Sequence, residues 1–174
     1  MRNVVIKMAE SGCNLFLTSS KSANLKRLEN QLRGEFGKNI KIAYEQGDLN
    51  SIEDIENIIR TARERLGIID ILINCAGVFP VEFLEASNLE DFEACFNVNV
   101  RAPFLFAKAF SQDMKKNRWG RIVNIGSSSA YSGVQETSIY CASKHALLGL
   151  SRSLLDELKR YNIRTFCISP SGIK

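Results

Sequence analysis

Tyr140 and Lys144 stand four residues apart, and Ser127 precedes the tyrosine by thirteen. If the Tyr140 segment is helical, positions i and i+4 share one face. An ammonium held beside a phenol favours the phenolate, which gives a proton donor suited to work near neutral pH. A serine hydroxyl delivered from another element would hydrogen-bond the oxygen that receives the proton. The competing reading is a surface tyrosine and lysine on an ordinary helix, because short spacings of this kind recur by chance. The chemistry depends on whether other elements bring the three groups together.

Five short, apolar, mostly β-branched runs predict strands over 15–18, 40–44, 69–74, 121–126 and 163–168. Between them lie helical patterns. Val4, Val5 and Met8 predict a first helix with its core face at those positions, ended by Gly12. Leu25, Leu28, Leu32 and Phe36 repeat at helical spacing before Gly37, and Ile52, Ile55, Ile59, Ala62 and Leu66 do so before Gly67. Ser51 through Asp54 has the form of a capping box. Leu147, Leu150, Leu154 and Leu158 line the helix that carries Tyr140. Strands alternating with helices predict a doubly wound parallel α/β sheet with helices on both faces. Right-handed crossovers put the strand C-terminal ends along one edge, where such sheets bind ligands. Asn74, Ser127 and the segment from Pro170 to Gly172 all fall there. Residues 89–117 read as one helical stretch broken by Pro103. A proline has no N–H, so the carbonyl of Asn99 loses its helical donor and the helix bends at that point.

The composition, 174 residues with 45% hydrophobic and 24% charged, fits one soluble domain. No apolar run reaches the ~20 residues that span a bilayer, and the first residues lack the form of a secretory signal. The net charge of +4 is scattered; the one dense run, Lys115–Lys116–Asn117–Arg118, reads as a solvated helix end. No nucleic-acid motif accompanies it. Five cysteines without a Cys-x-x-Cys pair indicate neither a disulfide framework nor a zinc site. They read as small, mostly buried side chains in a reducing, cytoplasmic setting. The single histidine, His145, cannot build a typical catalytic zinc site, and no metal is expected.

Four motifs occur in order: Asn74–Cys75–Ala76–Gly77, Asn97–Val98–Asn99–Val100, the run Gly120 to Ser127, and Tyr140–Cys141–Ala142–Ser143–Lys144. Together they closely resemble the short-chain dehydrogenase/reductase family, nearest to its 3-oxoacyl-[acyl-carrier-protein] reductase-like branch. The resemblance implies a Rossmann-like fold and hydride transfer between NADP(H) and a carbonyl or alcohol, a 3-oxoacyl thioester or small ketone. It implies Tyr140 as general acid and base, with Lys144 holding the nicotinamide ribose. Ser127 would orient the substrate carbonyl, and the Asn99 backbone carbonyl would anchor a water. Asn74, Ala76 and Gly77 would line the ribose and pyrophosphate, and Asp48 with Leu49 the adenine. Pro170, Gly172 and Ile173 would meet the nicotinamide carboxamide. Cys75 departs from the family's usual asparagine. After the first strand read here, Thr18–Ser19–Ser20–Lys21 offers hydroxyls and a cation but no carboxylate. An acidic residue would repel a 2′-phosphate, so Ser19 and Ser20 favour NADP(H) over NAD(H).

The family's first strand, its glycine-rich loop and its last strand have no counterpart in these residues. Without the first strand, the sheet is expected either to leave a gap or to re-pair, and cofactor binding to be weakened. A non-catalytic fragment or partner subunit is the alternative reading. Full-length family members are expected to be homo-oligomers. A serine hydrolase is disfavoured because Gly126 to Ala130 lacks the final glycine of a nucleophile elbow, and no Asp lies between Ser127 and His145.

Overall fold

The computed structural model describes residues 2–37 and 39–170. The chain divides into two units, residues 1–69 and 70–174. The strands are parallel throughout, as the alternation of elements requires, but they form two sheets rather than one.

The first unit contains α1 (Arg2–Glu10), β1 (Leu15–Ser19), α2 (Ser22–Phe36), β2 (Ile42–Gln46) and α3 (Ile52–Leu66). β1 pairs with β2 from Leu15↔Ile42 to Ser19↔Gln46. Its core gathers Val5, Ala9, Leu15, Leu32, Ile40 and Ile42, with Met8, Leu28 and Phe36 packed at the edge. Val5 and Ala9, one helical turn apart, form the buried stripe of α1, while Val4, expected to face the core, is 43% exposed. α1 is followed by Gly12 in the left-handed region (φ 77°), where a glycine carries no Cβ penalty. In α3 the buried stripe runs Ile55, Ile58, Thr61 and Ala62, so Ile52 lies outside it. Only half of the predicted capping box forms. The Ser51 side chain accepts from the Asp54 N–H, but Asp54 Oδ2 accepts from the Asp48 N–H at 2.7 Å.

The second unit contains β3 (Ile71–Asn74), α4 (Leu89–Phe96), α5 (Ala102–Asn117), β4 (Gly120–Ile125), α6 (Ser138–Leu158) and β5 (Ile163–Ile168). β4 is central: it pairs with β3 from Ile71↔Arg121 to Asn74↔Asn124, and with β5 from Gly120↔Ile163 to Ile125↔Ile168. Ile122, Met114 and Ile163 are fully buried in this unit's core. The stretch read as one proline-broken helix is two helices joined by a π-helical turn, Asn97–Arg101, in which the Ala102 N–H reaches back to Asn97 O. Pro103 is the second residue of α5, where a missing N–H costs least. The helix is thus re-registered rather than simply bent, and a π turn supplies the extra residue. The basic run ends α5, with Arg118 as its left-handed cap (φ 52°). No helix of the described residues is long and apolar enough to cross a membrane.

Candidate active site

All four residues proposed for the chemistry lie in the second unit, and β4, the π turn and α6 position them. Tyr140 and Lys144 occupy the first two turns of α6, and Lys144 Nζ lies 5.5 Å from the centroid of the Tyr140 ring. Lys144 is only 4% exposed. Its Nζ donates to Ile125 O at 2.9 Å, the carbonyl that ends β4. Burial pushes this ammonium below its ordinary pKa of 10.5, while the thiols of Cys167, Cys95 and Cys75 pull weakly the other way. An ammonium has three N–H bonds, so the bond to Ile125 leaves donors for a ligand.

Ser127 follows β4 by two residues in extended backbone and caps a short 3-10 turn (Ser128–Ala130) by accepting from the Ser129 N–H at 3.1 Å. That turn packs on α6. Ser127 thus follows by two residues the carbonyl that holds Lys144, at the C-terminal end of β4.

Asn99 lies in the π turn and is 1% exposed. The sequence pointed to its backbone carbonyl; the structure adds its side chain. Asn99 Oδ1 accepts from the Val78 N–H and Nδ2 donates to Val78 O, both at 3.0 Å, so one amide clamps the strand-following loop in both directions. Nδ2 also approaches Ser143 Oγ at 3.0 Å and Cys95 Sγ at 3.3 Å. Ser143 Oγ in turn donates to Tyr140 O at 2.8 Å. Burial pushes the Cys95 thiol up, against smaller opposing effects of Ser143, Lys144 and Asn99. Cys95 and Ser143 escaped the sequence reading; the only available signal was their helical spacing, Cys95 one turn before Asn99 and Ser143 one residue before Lys144.

A second buried relay starts at Asn74, whose Nδ2 donates to Asn124 Oδ1 at 2.8 Å. Asn124 Nδ2 donates to Ser151 Oγ at 2.8 Å, which ties the sheet to α6. The Asn74 amide is thus engaged within the sheet. Gly77 lies beside the charged group: a Cβ added there would lie 3.2 Å from Asn99 Oδ1 and 3.7 Å from Lys144 Nζ. Ala76 and Gly77 are exposed, and Pro170 O accepts from the Ser128 N–H. Gly172 and Ile173 lie outside the described residues. Phe79, also missed from sequence, packs edge-to-face on Tyr140 with ring centroids 4.4 Å apart.

The remaining expected cofactor positions belong to the first unit. Ser19 Oγ accepts from the Lys21 N–H, and Ser20 O from Gln46 Nε2. Asp48 Oδ1 accepts from the Asn50 N–H at 2.9 Å, closing the turn that contains Leu49. His145 is exposed, with Nδ1 2.9 Å from Cys141 O within its own helix. All five cysteines are free, and no metal-binding cluster occurs among the described residues. Of the five, Cys95 and Cys141 are buried and the other three half-buried, fewer buried than expected.

The model of the short chain dehydrogenase family matches residues 2–174. An uncharacterized oxidoreductase of Thermotoga maritima is 40% identical over 118 residues, 68% of this chain and 47% of that protein. Xanthoxin dehydrogenase of Arabidopsis thaliana is 33% identical over 175 residues, 95% of this chain and 61% of that protein. The structure of a gluconate 5-dehydrogenase from Burkholderia cenocepacia, in complex with NADP and tartrate, superposes with a TM-score of 0.86 at 25% identity. It covers 96% of this chain and 64% of that one. The chain spans about half the length of the Thermotoga proteins it matches.

Proposed function

The chain belongs to the short-chain dehydrogenase family, and from that premise we propose that it transfers hydride between a nicotinamide dinucleotide and a carbonyl or alcohol substrate. The observation that carries this reading is Lys144: a buried ammonium 5.5 Å from the Tyr140 ring, bonded to the carbonyl two residues before Ser127. When bound, the dinucleotide supplies the hydride. Gly77 fits that partner, since the space a Cβ would fill there borders Lys144 Nζ and Asn99 Oδ1, and its backbone allows close approach.

In reduction, Ser127 donates its hydroxyl hydrogen bond to the substrate carbonyl oxygen and polarises it. Tyr140 gives its phenolic proton to that oxygen as charge develops there. Lys144 holds a ribose hydroxyl and stabilises the phenolate left behind. Asn99 keeps the loop after β3 and the start of α6 in register with them. Oxidation reverses each role. For the dinucleotide we favour NADP(H): Ser19, Ser20 and Lys21 present no carboxylate to repel a 2′-phosphate. The substrate class is a small ketone or a 3-oxoacyl thioester, and the free cysteines suit a cytoplasmic enzyme. A homo-oligomer is the assembly expected from the family.

Deuterium transfer tests the reaction class. NADPH deuterated at its transferable position is incubated with the chain and a ketone, and the product alcohol is analysed by mass spectrometry. Deuterium on the carbinol carbon is the expected result. Alcohol without the label, or no alcohol at all, overturns the proposal.

A further inference from the structure

Phe79 packs edge-to-face on the proposed proton donor, yet it is 58% exposed. The Glu82 N–H donates to Glu136 O at 2.8 Å, so the loop that follows β3 is pinned to the segment that leads into α6. This brings together two stretches whose apolar side chains remain in water: Val81 and Leu84 on one, Tyr131 and Val134 on the other, each between 48% and 78% exposed. Residues 78–88 read Val-Phe-Pro-Val-Glu-Phe-Leu-Glu-Ala-Ser-Asn, and 128–137 read Ser-Ser-Ala-Tyr-Ser-Gly-Val-Gln-Glu-Thr. Neither contains a lysine or arginine, while Glu82, Glu85 and Glu136 are present.

We propose that Phe79 is a specificity-determining residue, and that the substrate carries an uncharged aryl or alkyl group beside its carbonyl. The reading of the ligand as substrate rests on the function proposed above. With its ring centroid 4.4 Å from that of Tyr140, Phe79 stands where a group beside the protonated oxygen would reach it. Covering that ring and its apolar neighbours removes water from them, which favours an apolar group. A polyol laid over Phe79, Val81, Leu84 and Val134 would set hydroxyls against side chains that offer them no hydrogen bond. Neither stretch carries a lysine or arginine to pair with the carboxylate of a 2-oxo acid or with a phosphate, and Lys144 is committed to Ile125 O and, in the function proposed above, to the ribose. Of the two substrate classes above, this favours the small ketone.

NMR titration of the chain with three alcohols separates the cases without needing turnover: 1-phenylethanol, mandelate with the same ring plus a carboxylate, and xylitol. Binding of 1-phenylethanol roughly tenfold tighter than mandelate is expected, with no saturable binding of xylitol. Phe79→Ala should weaken 1-phenylethanol by about tenfold, the scale of a lost aromatic contact, and Phe79→Tyr should restore it. Equal or tighter binding of mandelate or xylitol overturns the proposal, as does absence of binding by all three, or an affinity that Phe79→Ala leaves unchanged. If Phe79→Ala instead changes the mass measured by light scattering while 1-phenylethanol affinity stays fixed, the patch joins copies of this chain and the proposal falls. Deuterium transfer failing while these affinities hold would sink the reaction and leave the apolar pocket standing.

Discussion

Replacing Asn99 should loosen the site without touching Tyr140 or Lys144. The side chain is 1% exposed and makes two reciprocal bonds to Val78, plus contacts to Ser143 Oγ and Cys95 Sγ. Nδ2 carries two hydrogens, so its three acceptors share them and roughly three hydrogen bonds are at stake. At about 1 kcal/mol net each, that is about 3 kcal/mol. Val78 is exposed, so water replaces part of what its N–H and C=O lose. Ser143 is fully buried and keeps its donation to Tyr140 O and the weak Cys95 thiol donor at 3.4 Å. Asn99→Ala adds a small cavity, so a net loss of about 2–3 kcal/mol is expected. Asn99→Leu fills the volume and removes only the polar contacts, and it should cost nearly as much. Urea denaturation followed by far-ultraviolet circular dichroism measures both. If Asn99→Leu stays within about 0.5 kcal/mol of wild type, the size of an ordinary neutral substitution, then the amide clamp is not what orders this region.

Other expectations follow from burial. Lys144 has a folded pKa below 10.5 because it is buried; between that folded value and 10.5 the unfolded chain binds more protons, so stability rises with pH through this window. Lys144→Met should abolish that slope, measured as the difference in urea midpoint between the two proteins across the alkaline range; an unchanged slope would place its origin elsewhere. Maleimide should label Cys13, Cys75 and Cys167 in the folded chain, and Cys95 and Cys141 only after denaturation, counted by intact mass. Rapid labelling of Cys95 would contradict its burial. Ser51→Ala removes the hydrogen bond that starts α3 and should cost about 1 kcal/mol; no change in thermal midpoint would show that the cap is dispensable.

The parts of the molecule legible in the sequence are those written in short-range patterns. The last strand, 163–168, is legible as a short, mostly apolar and β-branched run, and the observed bounds coincide with it. Pro103 announced a break in the ladder at Asn99, since its missing N–H is a covalent fact. That the break takes the form of a π turn was not legible, because a missing N–H marks where the ladder is interrupted and not the register in which it resumes. The buried contacts of Asn99 with Val78 and Ser143 join residues 21 and 44 positions apart, and no periodicity encodes them. Asp54 shows the converse: its spacing from Ser51 suited a capping box, but the Asp48 N–H competes for its carboxylate. Division into two sheets is the first of the two outcomes expected without the family's first strand: β1 and β2 form one sheet, β3, β4 and β5 another, and no re-pairing joins them among the described residues.

The central claim is that Tyr140 supplies the proton in carbonyl reduction, and removing its hydroxyl tests it. Tyr140→Phe keeps the ring that contacts Phe79 and deletes the acid. Ketone-dependent loss of NADPH absorbance is compared between wild type and variant at saturating substrate. A fall in kcat of at least about a hundredfold is predicted, the scale of general acid catalysis, whereas turnover within twofold of wild type would contradict the account.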